Sequence, residues 1–197
     1  NLIVPLTRHV IAETIQQRHV FPMSSQFHIG INVAASHFRN GTLLKDLNQY
    51  WFSQHPIQQL VIELTERDAL LDVDYRVVRE LNRLGVKLAI DDFGTGNSSL
   101  SWLEKLRPDV LKIDKSFTSA IGTDAVNSTV TDIIIALGKK LNIELVAEGV
   151  ETQGQAQHLR RHGVHLLQGF LYAKPMPLRD FPKWLAGSTP PPTRHNG

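Results

Sequence analysis

Short apolar runs alternate with longer amphipathic stretches along the chain. The short runs are almost continuously apolar, which is typical of parallel strands that are covered on both faces. They predict six strands, at residues 27–33, 60–64, 87–90, 110–113, 145–147 and 166–171. The longer stretches follow a helical period and predict helices at residues 6–17, 43–53, 74–84, 99–106, 126–141 and 152–162. Two of these helices are followed directly by a glycine, which is a common helix end.

This repeated strand–helix order predicts an α/β fold, for which two architectures compete. A doubly wound open sheet places its ligand at one switch point, which only a few loops reach. An α/β barrel of the TIM type instead gathers the loops that follow all of its strands. Polar and acidic residues follow nearly every predicted strand, so we favour the barrel. Six strands are fewer than eight, so we expect a strand or two to be missing on the N-terminal side.

The polar residues at the strand ends predict a site for hard divalent cations, because carboxylate and amide oxygens suit Mg²⁺ and Mn²⁺. The pair Asp91–Asp92 is the most informative element, since adjacent carboxylates repel each other unless a cation neutralises them. One of the two can bridge two metal ions about 3.5–4 Å apart, an arrangement that acts on phosphodiesters. The pattern therefore indicates hydrolysis of a phosphate ester.

Less specific interpretations remain open for the same positions. A lone Glu63 or Glu148 is more often a helix N-cap or a solvated loop acid. Lys112, inside an apolar strand, can pair with Asp114 or extend its amine to the rim. Gln168 can be a buried amide that satisfies loop backbone. Convergence of several polar strand ends on one mouth of the barrel favours the catalytic interpretation.

Two other groups also allow two interpretations. Glu66 either fixes the loop that follows Asp92 or is simply an acid at the start of a helix. His158 and His162 are four residues apart on a predicted helix, which is a spacing that can bind zinc. No third ligand is evident nearby beyond His165, so we favour a solvated helix face for this pair.

Composition narrows the function classes. The formal net charge is +2 and only 7% of the residues are aromatic, so we expect no DNA or RNA polymer as a partner. The absence of cysteine excludes disulfides and thiolate metal sites and fits a reducing compartment. No run of about 18 apolar residues predicts a membrane span. The N-terminus has neither a starting Met nor a signal-peptide pattern, so it looks like a cut end.

Four motifs together resemble the EAL-domain family. They are DDFGTGNSSL at 91–100, LKIDKSF at 111–117, AEGVET at 147–152 and LQGFLYAKP at 167–175, in the order and spacing of that family. The resemblance covers residues 2 to about 185 and implies a modified TIM barrel over residues 1–186. The polar, Pro-rich composition of residues 187–197 predicts a disordered tail. It also implies hydrolysis of the bacterial second messenger cyclic di-GMP to linear 5′-pGpG with two Mg²⁺ or Mn²⁺ ions.

The resemblance implies the metal ligands of the site. Asn32, Glu63 and Asp91 would bind the first metal ion. Asp91 would bridge to the second ion, which Asp92 would also bind.

The resemblance further implies a set of catalytic residues. Lys112 would hold the attacking water and stabilise the phosphate charge, and Glu148 would act as general base or orient the metal and the water. Gln168 would support that water, and Glu66 would anchor the loop after Asp92.

The chain departs from the family in its first element. The Glu-Ala-Leu signature, with its metal-binding Glu, does not occur in the sequence. We therefore expect the barrel to lack its opening strand and this chain alone to be weakly active or inactive, although its parent is an active enzyme. Ala34 and Ala35 stand where the family usually has Ser-Pro, and Asn97 replaces a usual aromatic or His in the dimer-linked loop. The alternative function is a non-catalytic cyclic-di-GMP receptor or protein-interaction module.

The resemblance also implies an assembly and a location. Because the loop that contains Asn97 is linked to dimer formation in the family, the resemblance implies a homodimer. Three segments, TRH at 7–9, GINV at 30–33 and ELTERD at 63–68, are most similar to membrane-anchored members that carry an N-terminal periplasmic sensor. This similarity predicts a cytoplasmic domain whose parent is anchored in the inner membrane by a part that is not in this chain.

Overall fold

The computed structural model describes residues 2–71, 73–96, 101–123, 126–164 and 166–187. Within these residues, one sheet contains six strands, which are β1 (His28–Asn32), β2 (Gln59–Thr65), β3 (Lys87–Phe93), β4 (Val110–Ile113), β5 (Glu144–Ala147) and β6 (Leu166–Leu167). Each strand pairs in parallel with the next one along the chain.

The strand order decides between the two predicted architectures. A doubly wound sheet reverses its order at a switch point, whereas this sheet runs from β1 to β6 without a reversal. The sheet curls into part of a barrel, so the predicted TIM-type α/β barrel is confirmed. All carboxyl ends of the parallel strands lie on one side, which is where barrel active sites form.

Helices connect the strands and cover the outer face of the sheet. They are α1 (Ile3–Gln16), α2 (Ala35–Phe38), α3 (Thr42–Asp46), α4 (Glu66–Leu71), α5 (Tyr75–Arg83), α6 (Ser101–Leu106), α7 (Lys115–Thr118), α8 (Val126–Leu141), α9 (Gln153–Arg161) and α10 (Phe181–Gly187). A π-helical segment spans Leu47–Trp51, and 3-10 turns span Arg18–Val20, Arg39–Gly41, Phe52–Gln54 and Leu178–Asp180. No helix in the described ranges is long and apolar enough to cross a bilayer.

Local sequence signals explain two of the helix boundaries. The side chain of Asp74 accepts a hydrogen bond from the backbone N–H of Arg76 and so caps α5, and Gly85 follows the helix with a φ of 75°. Thr152 and Gln155 form a capping box at the start of α9. The predictions of both helices are confirmed to within a residue at each end.

Side chains alternate between the two faces of the strands and produce two apolar regions. The large outer-facing residues pack beneath the helices into the main core, as Ile62, Leu88 and Leu111 illustrate. A second, smaller cluster fills the inside of the curled sheet, and we call it the apolar floor. Its members are Val61, Ala89 and Val110, with Val146 packed against them.

The inner face continues with polar side chains above and below the apolar floor. Lys87 and Glu144 stand two residues before Ala89 and Val146, at the amino ends of their strands. Lys87 Nζ lies 3.2 Å from a carboxylate oxygen of Glu144. Two residues after the members of the floor stand Glu63, Asp91, Lys112 and Glu148. The strand period of two therefore places the candidate chemistry in a single layer at the carboxyl end.

Several predicted elements differ from the structure. The helix predicted at 6–17 begins at Ile3, and the strand predicted at 87–90 extends to Phe93. Strand β6 ends at Leu167 rather than at residue 171, because Gly169 and Leu171 turn to pack and hydrogen-bond against the backbone around Val150. The predicted helix at 43–53 is not one α-helix. It passes from α3 into the π-helical segment and then into a 3-10 turn, while Leu43, Leu47 and Trp51 remain buried on one face.

Parts of three predictions lie outside the described residues. These parts are residues 188–197 of the predicted disordered tail, residues 99–100 of the predicted helix at 99–106, and Asn97 in the loop after β3. Gly187, the first residue of the predicted tail, is the last residue of α10.

Candidate active site

Lys112 lies at the centre of the candidate site. It stands on β4, and its side chain is 7% exposed. Its Nζ lies 2.8 Å from Glu63 Oε2 at the end of β2 and 3.0 Å from Asp91 Oδ1 on β3. A third contact, of 2.7 Å, joins it to Glu148 Oε1 just after β5. Neighbouring strands thus bring three carboxylates onto one ammonium group, and we call these four residues the Lys112 cluster.

The charged groups of the Lys112 cluster shift the pKa values of Lys112 and Glu148. Burial disfavours the charged ammonium, but hydrogen bonds to Glu148 and Glu63 outweigh burial and raise the pKa of Lys112 above its usual value. Lys112 therefore remains protonated at neutral pH. Burial raises the pKa of Glu148, and the negative charges of Asp91 and Glu63 add to this effect, while Lys112 opposes it. One ammonium does not neutralise three carboxylates, so the cluster favours additional positive charge.

Asp92 adds a fourth carboxylate to this end of the sheet. We call Glu63, Asp91, Asp92 and Glu148 the acidic layer. Oxygen atoms of Asp91, Asp92 and Glu148 lie within 4.8 Å of one another, close enough to bind a common cation. Asp92 has a left-handed backbone with a φ of 53°, a conformation that Asp tolerates better than most residues. Burial, together with the charges of Asp91 and Asp114, raises the pKa of Asp92. An oxygen donor set of this kind suits Mg²⁺ or Mn²⁺.

Glu66 lies behind the loop that follows Asp92. It is the first residue of α4 and is buried, and its Oε2 accepts hydrogen bonds from the backbone N–H groups of Gly94 at 3.0 Å and Gly96 at 3.3 Å. A Cβ at residue 96 would lie 2.8 Å from a Glu66 oxygen, so this close approach requires glycine. The side chain of Glu66 therefore ties the start of α4 to the loop.

The structure places the remaining predicted residues around the Lys112 cluster. Asn32 is the last residue of β1 and is the direct pairing partner of Glu63 on β2. Gln168 follows β6 at the same end of the sheet, where its N–H donates to Ala147 O at 2.8 Å. Its side chain is exposed, so the buried-amide interpretation is wrong. Asp114 caps α7 through the N–H of Ser116.

Comparison with known proteins decides the family. The EAL domain family matches residues 1–175. The chain belongs to the EAL family. It is 84% identical over 197 residues to the probable cyclic di-GMP phosphodiesterase PdeD of Escherichia coli K12, covering 100% of this chain and 37% of that protein. The chain thus spans little more than a third of the length of this relative.

Solved EAL structures share the fold. The phosphodiesterase MucR of Pseudomonas aeruginosa, in complex with cyclic di-GMP, superposes with a TM-score of 0.81 at 34% identity, covering 91% of this chain and 74% of that one. BlrP1 of Klebsiella pneumoniae, in a manganese and cyclic-di-GMP complex, gives a TM-score of 0.74 at 27% identity, covering 88% and 44%. The barrel predicted for this EAL domain agrees with both.

The sequence analysis missed the contribution of Gly30 to this EAL domain. A Cβ at residue 30 of β1 would overlap Oε1 of Glu63 on the neighbouring strand. Gly30 therefore leaves the space in which the Glu63 carboxylate reaches Lys112. An isolated glycine inside an apolar strand is the available sequence signal, since it often marks a close approach.

Replacing Gly30 by alanine is expected to lower the activity of the EAL domain without unfolding it. The new methyl group displaces the Glu63 carboxylate from Lys112, and we expect a loss of about tenfold in kcat, as for a disturbed supporting contact at a metal site. Gly154→Ala is the matched control, because its Cβ would meet only Thr152 Oγ1 at 3.9 Å. Equal kinetics in both variants, measured with cyclic di-GMP, would contradict the proposed role of Gly30.

If the loop after Asp92 couples bound metal ions to a dimer interface, replacing Glu66 by alanine is expected to weaken the metal dependence and the dimer-linked activity of the domain. The variant leaves the N–H groups of Gly94 and Gly96 without their charged acceptor, which costs about 1.5–3 kcal/mol for each hydrogen bond that is lost. The loop is then free to move, while the sheet itself is unchanged. Titration of activity with Mg²⁺ tests this expectation, and circular dichroism checks the fold. An unchanged titration would reduce Glu66 to a helix-start acid.

Proposed function

We propose that this EAL domain hydrolyses cyclic di-GMP to linear 5′-pGpG in a reaction that depends on two Mg²⁺ or Mn²⁺ ions. The observation that carries the proposal is the Lys112 cluster, in which one buried ammonium meets the carboxylates of Glu63, Asp91 and Glu148. Relatives named as cyclic-di-GMP phosphodiesterases and a neighbour solved with manganese and cyclic di-GMP support the substrate and the metal class.

The acidic layer fits divalent cations in charge and in donor type. Glu63, Asp91, Asp92 and Glu148 offer only carboxylate oxygens, and Lys112 balances a single one of their negative charges. We infer that Asn32, Glu63 and Asp91 hold one ion, and that Asp91 and Asp92 hold the other. Asn32 has the position for this role because it is paired with Glu63. Bound at this layer, the ions lower the pKa of a water molecule and neutralise phosphate oxygens.

The remaining residues position the reactants. The ammonium of Lys112 faces the acidic layer, so it can hold the attacking water and stabilise the charge that grows on the phosphate. The raised pKa of Glu148 suits a group that takes up the proton of this water or orients it. Gln168, exposed beyond β6, would support this water. Glu66 does not contact the reactants in this proposal. It fixes the loop that follows Asp92 by accepting a hydrogen bond from the N–H of Gly94.

A second candidate function is a cyclic-di-GMP receptor or protein-interaction module without turnover. Residues 1–197 contain no Glu-Ala-Leu sequence, so on their own they offer one carboxylate ligand fewer than the site that the EAL resemblance implies. For the same reason we expect the chain on its own to turn over slowly or not at all. Homodimer formation, a cytoplasmic location and anchoring of the parent in the inner membrane stay predictions.

Separation of the nucleotide products distinguishes the two functions. The full-length protein is incubated with cyclic di-GMP and Mg²⁺, and the nucleotides are resolved by chromatography. A phosphodiesterase accumulates linear pGpG, while a receptor binds cyclic di-GMP, as measured by equilibrium dialysis, and leaves it intact. Binding without product would reject the proposed hydrolysis, and absence of both would reject the substrate.

A further inference from the structure

A second group of potential metal ligands lies outside the strand-end site. Asp132 stands on α8, His158 stands on the neighbouring α9, and His162 follows the last turn of α9. One donor atom from each residue lies within 4.8 Å of the other two. We call these residues the histidine cluster. The third ligand, which the local sequence pattern did not supply, thus comes from the adjacent helix.

The hydrogen bond of His162 orients it for metal binding. Its Nδ1 lies 2.8 Å from the backbone carbonyl oxygen of His158. A carbonyl oxygen can only accept, so Nδ1 carries the proton and donates it to this bond. The lone pair of the neutral ring is then on Nε2. Histidines that bind metal ions commonly donate their other ring N–H to a carbonyl or carboxylate in this way.

The spacing of His158 and Asp132 leaves room for an ion. His158 Nε2 is 3.6 Å from Asp132 Oδ1, which is longer than a hydrogen bond. Two donors of a tetrahedral zinc ion, with bonds of about 2.0–2.1 Å, are separated by about 3.4 Å. The rings of His158 and His162 lie with their centroids 4.2 Å apart, so both imidazoles occupy the same side of α9. The third donor lies within 4.8 Å of these two, so side-chain rotations would be needed to bring all three donors onto one ion.

We propose that Asp132, His158 and His162 form a binding site for one borderline divalent transition metal ion, for which Zn²⁺ is the reference case. Two imidazoles and one carboxylate suit Zn²⁺, whereas Mg²⁺ and Ca²⁺ prefer oxygen ligands throughout. Water takes the fourth position, because Asp132 and His158 are both accessible to solvent. An ion at this site joins α8 to α9, the two helices that flank β5 and hence the strand that leads to Glu148.

Titration calorimetry with Zn²⁺ on the full-length protein tests this site. The buffer contains saturating Mg²⁺, which fills oxygen-rich sites but competes poorly for imidazole. We expect one Zn²⁺ ion per chain at this site, and the variants His158→Gln and Asp132→Asn each weaken its binding by about tenfold or more. His9→Gln removes an exposed histidine of α1 and serves as the matched control, with unchanged Zn²⁺ binding.

Two further measurements test whether the bound Zn²⁺ ion is held by the histidine cluster. The His158→Gln variant should retain its circular dichroism spectrum and its Mg²⁺-dependent activity, since it touches neither the core nor the Lys112 cluster. X-ray absorption of the zinc complex should show two imidazole ligands, and one in the variant. Zn²⁺ binding that is absent from the unmodified protein, or equally tight in His158→Gln and the control, would overturn the proposal.

Discussion

Replacing Lys112 by methionine is expected to lower the kcat for cyclic di-GMP by a factor on the order of 10²–10³, the usual cost of removing one preorganised charge from an active site. Methionine keeps much of the length of the side chain but carries no charge. The carboxylates of Glu63, Asp91 and Glu148 lose their common partner, and the phosphate loses a cationic contact. The rate of pGpG formation at saturating Mg²⁺ measures the effect.

The chain offers a matched control for this substitution. Lys87 also faces the inside of the curled sheet and also pairs with a carboxylate, that of Glu144, but it lies on the other side of the apolar floor. Lys87→Met should therefore keep its kcat within a factor of about two, as is usual for a partly exposed ion pair of small energetic weight. If both variants lost activity equally, the cause would be damage to the barrel and not the loss of the catalytic ammonium.

Removing divalent cations with a chelator is expected to abolish hydrolysis. The acidic layer would retain Lys112 as its single positive charge, with no ion to generate the nucleophile or to neutralise the phosphate. We also expect Ca²⁺ to inhibit in the presence of Mg²⁺. Ca²⁺ binds at about 2.3–2.6 Å and takes more ligands, whereas Mg²⁺ requires about 2.0–2.1 Å, so a compact two-ion site is distorted. The rate of pGpG formation is again the measurement.

Recovery of activity shows which site the chelator emptied. Addition of Mg²⁺ alone should restore the full rate, because the acidic layer offers oxygen ligands while the histidine cluster offers two imidazoles. Hydrolysis that continues in excess chelator would contradict the two-metal proposal. Recovery with Zn²⁺ but not with Mg²⁺ or Mn²⁺ would assign the reaction to a different metal class.

The fold could be predicted from the sequence because its signals are local. Apolar runs located all six strands, and the helical period together with a following glycine located α5 and α9 to within a residue at each end. The acidic pair Asp91–Asp92 by itself predicts a cation site, and the motifs around it identify the EAL family.

Features that depend on contacts distant in the sequence were missed. The pattern beyond Leu167 remains apolar, but tertiary contact with Val150 bends the chain and ends β6. The space that Gly30 leaves for Glu63 exists only once β1 and β2 are paired. Asp132 likewise joins His158 only through the packing of α8 and α9, so the local pattern indicated no more than a solvated face.

The apolar floor separates two polar layers along the barrel axis, the ion pair of Lys87 and Glu144 on one side and the acidic layer on the other. Val61, Ala89 and Val110 lie on the inside of the sheet between the Lys112 cluster and the pair of Lys87 and Glu144, so they separate the two polar layers. The layer with Lys87 and Glu144 can therefore be redesigned for thermal stability while the acidic layer keeps its geometry. A larger residue at position 89 would act in the opposite direction, pressing upwards on Asp91. Substitutions should therefore be tolerated at the amino ends of the strands and restricted at their carboxyl ends, with the four side chains of the apolar floor between the two.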